Sequence, residues 1–279
     1  MNKAWRAGVL KHPLSDEFQD DYLIVQYADD TLLELPGDAR TLFNLNGLLR
    51  SFSHSTGLHV NFSKSFWVPI NMGSERAARL ANNFGCQVGD MPFTCLGLPL
   101  GTTKPTVTEF MPLMAIIERK ISRISKFLSY NGRLILVNSV LSALPTFYMC
   151  SLKLPPQIIK PIDSYRKHCL WDKGDIYRKG KCMVAWEAAY KPKDQGGLGI
   201  IDIKSQNEAL LMIFLEKFYN QADIPWVKLT WNKLYSNTQI PPHARSPVGS
   251  FWWKDIMKLF PSFQNISTCA PNRGNSVLF

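Results

Sequence analysis

Two adjacent carboxylates are the residues of this chain best placed to do chemistry. Asp29 and Asp30 lie between two apolar runs, in the stretch DYLIVQYADDTLLEL. Apolar runs around a short polar turn predict a β-hairpin, with both charges at its tip. Unpaired carboxylates need a partner or a cation where water is excluded, and hard oxygen ligands suit Mg²⁺. The pair is therefore a candidate metal site. A turn that uses Asp only for its backbone preferences is the alternative.

Four segments resemble one polymerase family. QYADDT, around the carboxylates, is similar to the catalytic loop of reverse transcriptases. GLHVNFSKS (57–65), FTCLGLPLG (93–101) and WEAAYKPKDQGGLGI (186–200) with NEAL (207–210) resemble later segments of LINE-type, non-LTR retrotransposon polymerases, especially those of plants. The segments keep the family's order over about residues 20–220. The resemblance implies RNA-directed DNA polymerisation with Mg²⁺ as cofactor, and an RNA template, a DNA primer and deoxynucleotides as partners.

The same resemblance implies roles for individual residues. Asp29 would hold the metal, and Asp30 would be its neighbour at the primer end. The residues implied to bind the nucleotide are Tyr27, Ala28 and Lys64, and those implied to grip the primer are Leu96, Gly97 and Leu98. The alternatives that the residues leave open are a solvated surface lysine and a core strand with a turn.

Basic residues concentrate in the middle of the chain. Residues 101–200 hold 16 Lys and Arg against 7 Asp and Glu, within a formal net charge of +10. An apolar helical stripe up to Leu128, a break at Gly132 and a second helix from Arg133 to Leu144 predict an antiparallel helix pair. It resembles a polymerase thumb, which binds phosphates. The implied nucleic-acid-binding residues are Arg119, Lys120, Arg123, Lys126 and Arg133. Ordinary solvated charges are an equal alternative.

The predicted fold class is α+β, with a partial polymerase palm of antiparallel hairpins and helices followed by a mostly helical, basic thumb and connection. The expected domains are the C-terminal palm (1–104), the thumb-like helix pair (105–154) and a basic, aromatic-rich connection (155–279). Caps and periodicity predict further elements: helices from Asp38 to about Thr56, Ser74 to Phe84, Ile158 to Leu170 and Ser205 to Asn220, and a strand near residues 58–62. Beyond Asp223 the pattern predicts loops.

Other classes of protein find no support in the composition. The six cysteines form no CxxC pair and no zinc-finger spacing, so reduced thiols are expected. We expect no signal peptide and no membrane partner, because no apolar run is long enough. An intracellular location, nuclear or cytoplasmic, is therefore expected, and the oligomeric state is open.

The family's active site requires a third carboxylate, and no upstream acid lies in a matching context. The acids before the hairpin sit in a polar lead-in rather than on an apolar strand. No set of carboxylates like that of a ribonuclease H is visible either. We therefore expect a fragment of a reverse transcriptase that lacks the fingers and N-terminal palm and has no polymerase activity by itself. A non-catalytic nucleic-acid-binding remnant is the alternative, and a chain that does not fold stably is a third.

Overall fold

The computed structural model describes residues 2–11, 24–124, 127–171, 184–235 and 248–268. The chain divides into two compact units, Met1–Thr102 and Thr103–Phe279. Over the described residues, helices predominate and the strands form three small two-stranded sheets. The expected α+β class is thus confirmed.

The first unit combines short strands with helices. Its strands are β1 Ile24–Tyr27, β2 Asp30–Leu33, β3 Phe66–Trp67, β4 Gln87–Val88, β5 Phe93–Cys95 and β6 Leu98–Leu100. Its helices are α1 Asn2–Arg6, α2 Ala39–Thr56 and α3 Ser74–Phe84, with a 3-10 turn at Phe62–Lys64. Strands β1 and β2 pair antiparallel, as do β5 and β6, whereas β3 and β4 pair parallel through the crossover helix α3.

Helix α2 has the predicted limits because its end residues satisfy the terminal backbone groups. The Asp38 carboxylate accepts a hydrogen bond from the Thr41 N–H at 2.8 Å, which is the ordinary N-cap arrangement. Gly57 ends the helix with a left-handed φ of 74°. Leu42 and Leu45 are buried on the face toward α3. This small helix–helix contact is the core of the unit.

The strand expected near residues 58–62 is wrong. Residues 58–61 are irregular and lead into the 3-10 turn. The Asn61 side chain accepts from the Lys64 N–H at 3.2 Å, and such a local bond gives the backbone an alternative to strand pairing. The predicted bounds of α3 are confirmed, and Gly73 occupies its N-cap position without a side-chain cap.

In the second unit, every regular element among the described residues is helical. The α-helices are α4 Met111–Ile124, α5 Tyr130–Ile135, α6 Thr146–Met149, α7 Pro156–Trp171, α8 Trp186–Ala189, α9 Ile203–Tyr219, α10 Pro225–Leu234, α11 Phe251–Met257 and α12 Phe260–Ile266. A π-helical segment, Leu136–Leu141, continues α5, and 3-10 turns occupy Val107–Phe110 and Lys193–Gln195. No helix in the described ranges has the length and apolar character needed to span a membrane.

Helices α7 and α9 organise this unit, and both were predicted within two residues of their limits. Helix α7 packs against α4, α5, the π-helical segment and α9, and α9 also packs against α6, α11 and α12. The largest fully buried apolar side chains of the unit include Phe110, Leu113, Ile117, Ile121, Ile158, Ile162 and Leu170. One part of the core therefore lies along α7.

The predicted second helix of the thumb-like pair needs correction at both ends. It begins at Tyr130, because the Ser129 hydroxyl accepts from the Gly132 N–H at 3.2 Å and caps the first turn. Gly132 therefore lies inside the helix and does not break it. The π-helical segment ends at Leu141.

The loop-rich prediction beyond Asp223 is also wrong, because α10, α11 and α12 lie there. These helices build an aromatic core against α9. Phe218 stacks on Trp231 with ring centroids 4.6 Å apart, and the Trp253 indole N–H donates to the Tyr235 hydroxyl at 2.9 Å. Trp253 is buried in this core, and Trp226, Trp231 and Trp252 pack half-buried against it, so these residues follow no single-face periodicity.

Candidate functional site

The two carboxylates lie where the sequence places them, at the tip of the β1–β2 hairpin. Tyr27 pairs with Asp30, so Ala28 and Asp29 form a two-residue turn. Ala28 has a positive φ of 50°, which is uncommon for a residue with a Cβ. Tyr27 is 67% exposed, and Ala28, Asp29 and Asp30 are exposed as well. The tip therefore offers an aromatic ring and two carboxylates to a ligand.

These carboxylates fit a magnesium ion in type but not in number. Mg²⁺ binds through one or two carboxylates and completes its shell with water and phosphate oxygens. A site that holds two ions needs more anionic ligands. Among the residues that the structure describes, no group of three or more Asp, Glu, His or Cys side chains is arranged to bind a metal. Asp29 and Asp30 by themselves thus do not form a complete two-ion site.

Lys64 lies in the 3-10 turn after α2, on a different element from the carboxylates. Its backbone N–H is held by Asn61, and its side chain is exposed. This placement leaves the ammonium group able to reach an anion. The implied contact with a nucleotide stays a prediction.

The implied primer grip is a second tight hairpin. Leu96 and Gly97 are its turn residues, with φ values of 51° and 80°, and Cys95 pairs with Leu98. Two positive φ values in succession are typical of a two-residue turn that matches the twist of its strands. Leu96 is 41% exposed at the tip. Its positive φ is uncommon for a residue with a bulky side chain. Leu98 is half-buried.

Helix α4 carries two of the implied phosphate-binding residues, Arg119 and Lys120, at exposed positions. Ile117 and Ile121 are buried, whereas Arg119 and Lys120 are exposed. Arg123 belongs to α4, but its side chain lies outside the described part of the structure, as does all of Lys126.

Arg133 is the exception among the implied phosphate-binding residues. It is only 8% exposed, and its guanidinium donates to the Leu170 carbonyl at 2.7 Å. The same group lies 6.0 Å from the centroid of the Tyr130 ring. Arg133 therefore ties α5 to the end of α7, and this burial argues against a phosphate contact.

The aromatic residues at the start of the 186–200 segment have a structural role. Trp186 is 4% exposed. The buried Arg166 guanidinium lies 5.6 Å from its ring centroid, donates to Asp163 at 2.7 Å and to the Ile201 carbonyl at 2.6 Å. Tyr190 donates to the other oxygen of Asp163 at 2.9 Å. These groups join α7 to α8 and to the start of α9, and residues 172–183 lie outside the described residues.

The electrostatics of this network are those of a buried ion pair. Burial lowers the pKa of Arg166, and the neighbouring Asp163 carboxylate opposes that shift. Burial, and then the negative charge of Asp163, raises the pKa of Tyr190. Sequence reasoning missed the network because Arg166 and Asp163 lie on α7, outside every recognisable motif. Their i, i+3 spacing on a predicted helix was the available signal.

Asn207, in the NEAL segment, also has a structural role, which the family resemblance alone does not reveal. Its amide oxygen accepts from the Leu154 N–H at 2.8 Å, and its amide nitrogen donates to the carbonyls of Met149 and Leu152, each at 2.9 Å. The side chain is 2% exposed. Asn207 thus satisfies three backbone groups in the segment that joins α6 to α7.

Comparison with known proteins gives one informative match. The chain is 38% identical over 147 residues to a protein of Arabidopsis thaliana named “Putative ribonuclease H protein”. The match covers 50% of this chain and 24% of that protein, so the chain spans about a quarter of the relative's length. No protein-family model matches the chain.

Proposed function

We propose that this chain is a nucleic-acid-binding region of a retroelement-type protein, equivalent to the C-terminal palm, thumb and connection of a LINE-type reverse transcriptase. The observation that carries the proposal is the exposed hairpin tip with Asp29 and Asp30. The order of the resembling segments and the exposed basic side of α4 support it. The similarity to a protein named as a ribonuclease H protein supports a nucleic-acid context. That name concerns a protein of which the match covers 24%, so its activity is not transferred.

In this proposal the hairpin positions the primer end beside the incoming nucleotide. Asp29 and Asp30 would hold Mg²⁺, which, when bound, neutralises phosphate charge during nucleotidyl transfer. Tyr27 and Ala28 would shape the surface beneath the primer terminus, and Lys64 would neutralise a phosphate of the nucleotide. The turn Leu96-Gly97 would contact the primer strand.

The chain by itself is proposed to bind an RNA–DNA duplex without extending the primer, because two carboxylates supply too few ligands for two ions. The test is primer extension with Mg²⁺, comparing the natural chain with Asp29→Asn. The matched control is Asp90→Asn, which removes an exposed carboxylate of the same unit that is not part of the β1–β2 hairpin. Extension that Asp29→Asn abolishes and Asp90→Asn preserves would establish the chain as a complete polymerase and overturn the non-catalytic part of the proposal.

Binding is tested separately, by titrating an RNA–DNA duplex at several salt concentrations. Phosphate-led binding weakens as salt rises, with a slope that reflects the number of phosphate contacts. Lys120→Ala should reduce that slope by about 1, whereas Lys204→Ala, an exposed lysine on α9, should leave it unchanged. An affinity that is independent of salt would refute the nucleic-acid interface.

A further inference from the structure

Phe127 and Tyr130, just before α5 and at its first position, present aromatic rings to solvent. Phe127 is 90% exposed, more than any other large apolar side chain described, and Tyr130 is 39% exposed. The two residues are three positions apart, with Tyr130 opening α5. Such exposure of an aromatic ring has no benefit for packing. It is therefore informative about what the surface contacts.

The Tyr130 ring is fixed in place by its neighbours. Trp171, the last residue of α7, lies with its ring centroid 5.8 Å away at an interplanar angle of 37°. The Arg133 guanidinium lies 6.0 Å from the Tyr130 centroid and is itself held by the Leu170 carbonyl. The ring thus keeps its orientation while part of it stays accessible. A pre-oriented ring loses little entropy when a flat ligand stacks on it.

The charge of this part of the sequence favours a polyanion. Arg119 and Lys120 lie exposed on α4, the helix that precedes Phe127 in the sequence. Residues 101–200 carry a large excess of basic over acidic side chains. Proteins that bind single-stranded nucleic acid combine cations for the backbone with aromatic rings for the bases. In a duplex the base faces are already stacked, so a protein ring gains little there.

We infer that Phe127 and Tyr130 form a stacking platform for unpaired bases of a single-stranded nucleic acid. The inference rests on the proposed nucleic-acid function and adds to it a strand type and two binding residues. The lysine and arginine of α4 contact the backbone phosphates, and the two rings receive bases. Recognition of this kind depends little on sequence, because every base has a π-face.

The experiment measures binding of a fluorescent single-stranded RNA and of a blunt RNA–DNA duplex by anisotropy. Phe127→Ala should weaken single-strand binding about tenfold and leave duplex binding within about twofold, as expected for loss of one stacked base. Tyr130→Phe should bind normally, since it keeps the ring. The matched control is Phe147→Ala, which removes a 53% exposed ring on α6 and should change neither affinity.

Each contrary outcome has a distinct meaning. If the natural chain binds the duplex but not the single strand, or if Phe127→Ala binds both as well as the natural chain does, the platform is refuted and the proposed function stands. If the natural chain binds neither probe, the proposed function fails and the platform with it. If Phe127→Ala changes only the sedimentation of the protein, the rings are a self-association surface and the inference is overturned.

Discussion

Asn207 and its three hydrogen bonds to the backbone form a clamp on the segment that joins α6 to α7. Replacing Asn207 by aspartate tests how much this clamp stabilises the fold. The change keeps the size of the side chain and an oxygen to accept from the Leu154 N–H, but it removes both donated hydrogen bonds. The carbonyls of Met149 and Leu152, now 2.9 Å from the amide nitrogen, would then face an oxygen. Each buried polar group left without a partner costs about 1–3 kcal/mol. Two such groups predict a loss of about 2–6 kcal/mol at pH 7. A typical domain is stable by about 5–15 kcal/mol.

The same variant has a predicted pH dependence. A buried carboxyl group facing two carbonyl oxygens has a raised pKa in the folded state, because its charged form is disfavoured. A group whose folded pKa is above its unfolded value contributes most stability below the unfolded pKa. Asn207→Asp should therefore recover part of its lost stability as the pH falls toward about 4. The protonated carboxyl can then donate one of the two lost hydrogen bonds.

Urea denaturation followed by tryptophan fluorescence measures this loss, since six of the eight tryptophans belong to the second unit. The free energy of unfolding follows from the midpoint and slope of the transition. Asn131→Asp makes the same chemical change at an exposed position of α5 and should cost less than about 0.5 kcal/mol. A cost at Asn207 no larger than at Asn131 would refute the clamp.

Two further perturbations test the packing and electrostatics of the fold. Gly197→Ala should destabilise the second unit in urea, because a Cβ there would overlap the Lys191 carbonyl. Gly47 lies inside α2 with open space around it, so Gly47→Ala should instead stabilise the first unit by about 0.5–1 kcal/mol. Equal changes in stability for the two variants would contradict this explanation. Burial acts to raise the pKa of Asp255, but the hydrogen bonds and charges of Lys104 and Lys258 together outweigh it, so the pKa of this carboxyl is lowered. Its contribution to stability should be present above the unfolded pKa of about 4 and be lost as the pH falls through the folded value. The Asp255→Asn variant should therefore be less stable than the natural chain at pH 7 and should lose less stability as the pH falls. If both proteins lose the same stability on acidification, this explanation is refuted.

Local chemistry allowed some elements to be predicted and concealed others. The hairpin at Asp29 and helix α2 could be predicted because their signals are local: a polar turn between apolar runs, and caps at Asp38 and Gly57. The start of α5 was misplaced because the Ser129 cap tolerates Gly132 within the first turn. The C-terminal helices were missed because the tryptophans around Phe218 pack on all sides of a shared core, which erases single-face periodicity.

The candidate site likewise has features that the sequence predicts and features that it does not. The exposed tip could be predicted, because two carboxylates in a turn are visible in the sequence. The buried position of Arg133 could not, since its partner, the Leu170 carbonyl, is 37 residues away and belongs to the backbone. The Arg166–Asp163 pair was equally hidden, because an ion pair on one helix resembles a solvated surface until the packing of α8 is known.

The segments that carry the family resemblance thus differ in what they say about function. Trp186 and Asn207 are buried and hold helices together, so the stability of the fold is enough to explain their presence. Asp29 and Asp30 are exposed and contribute little to packing, so stability does not explain them. Substitutions at the tip should therefore leave the urea midpoint unchanged, whereas those in the clamp should lower it. If substitutions at the tip and in the clamp lowered the urea midpoint equally, the tip would be part of the folded core. The main reason to regard the tip as a site would then be lost.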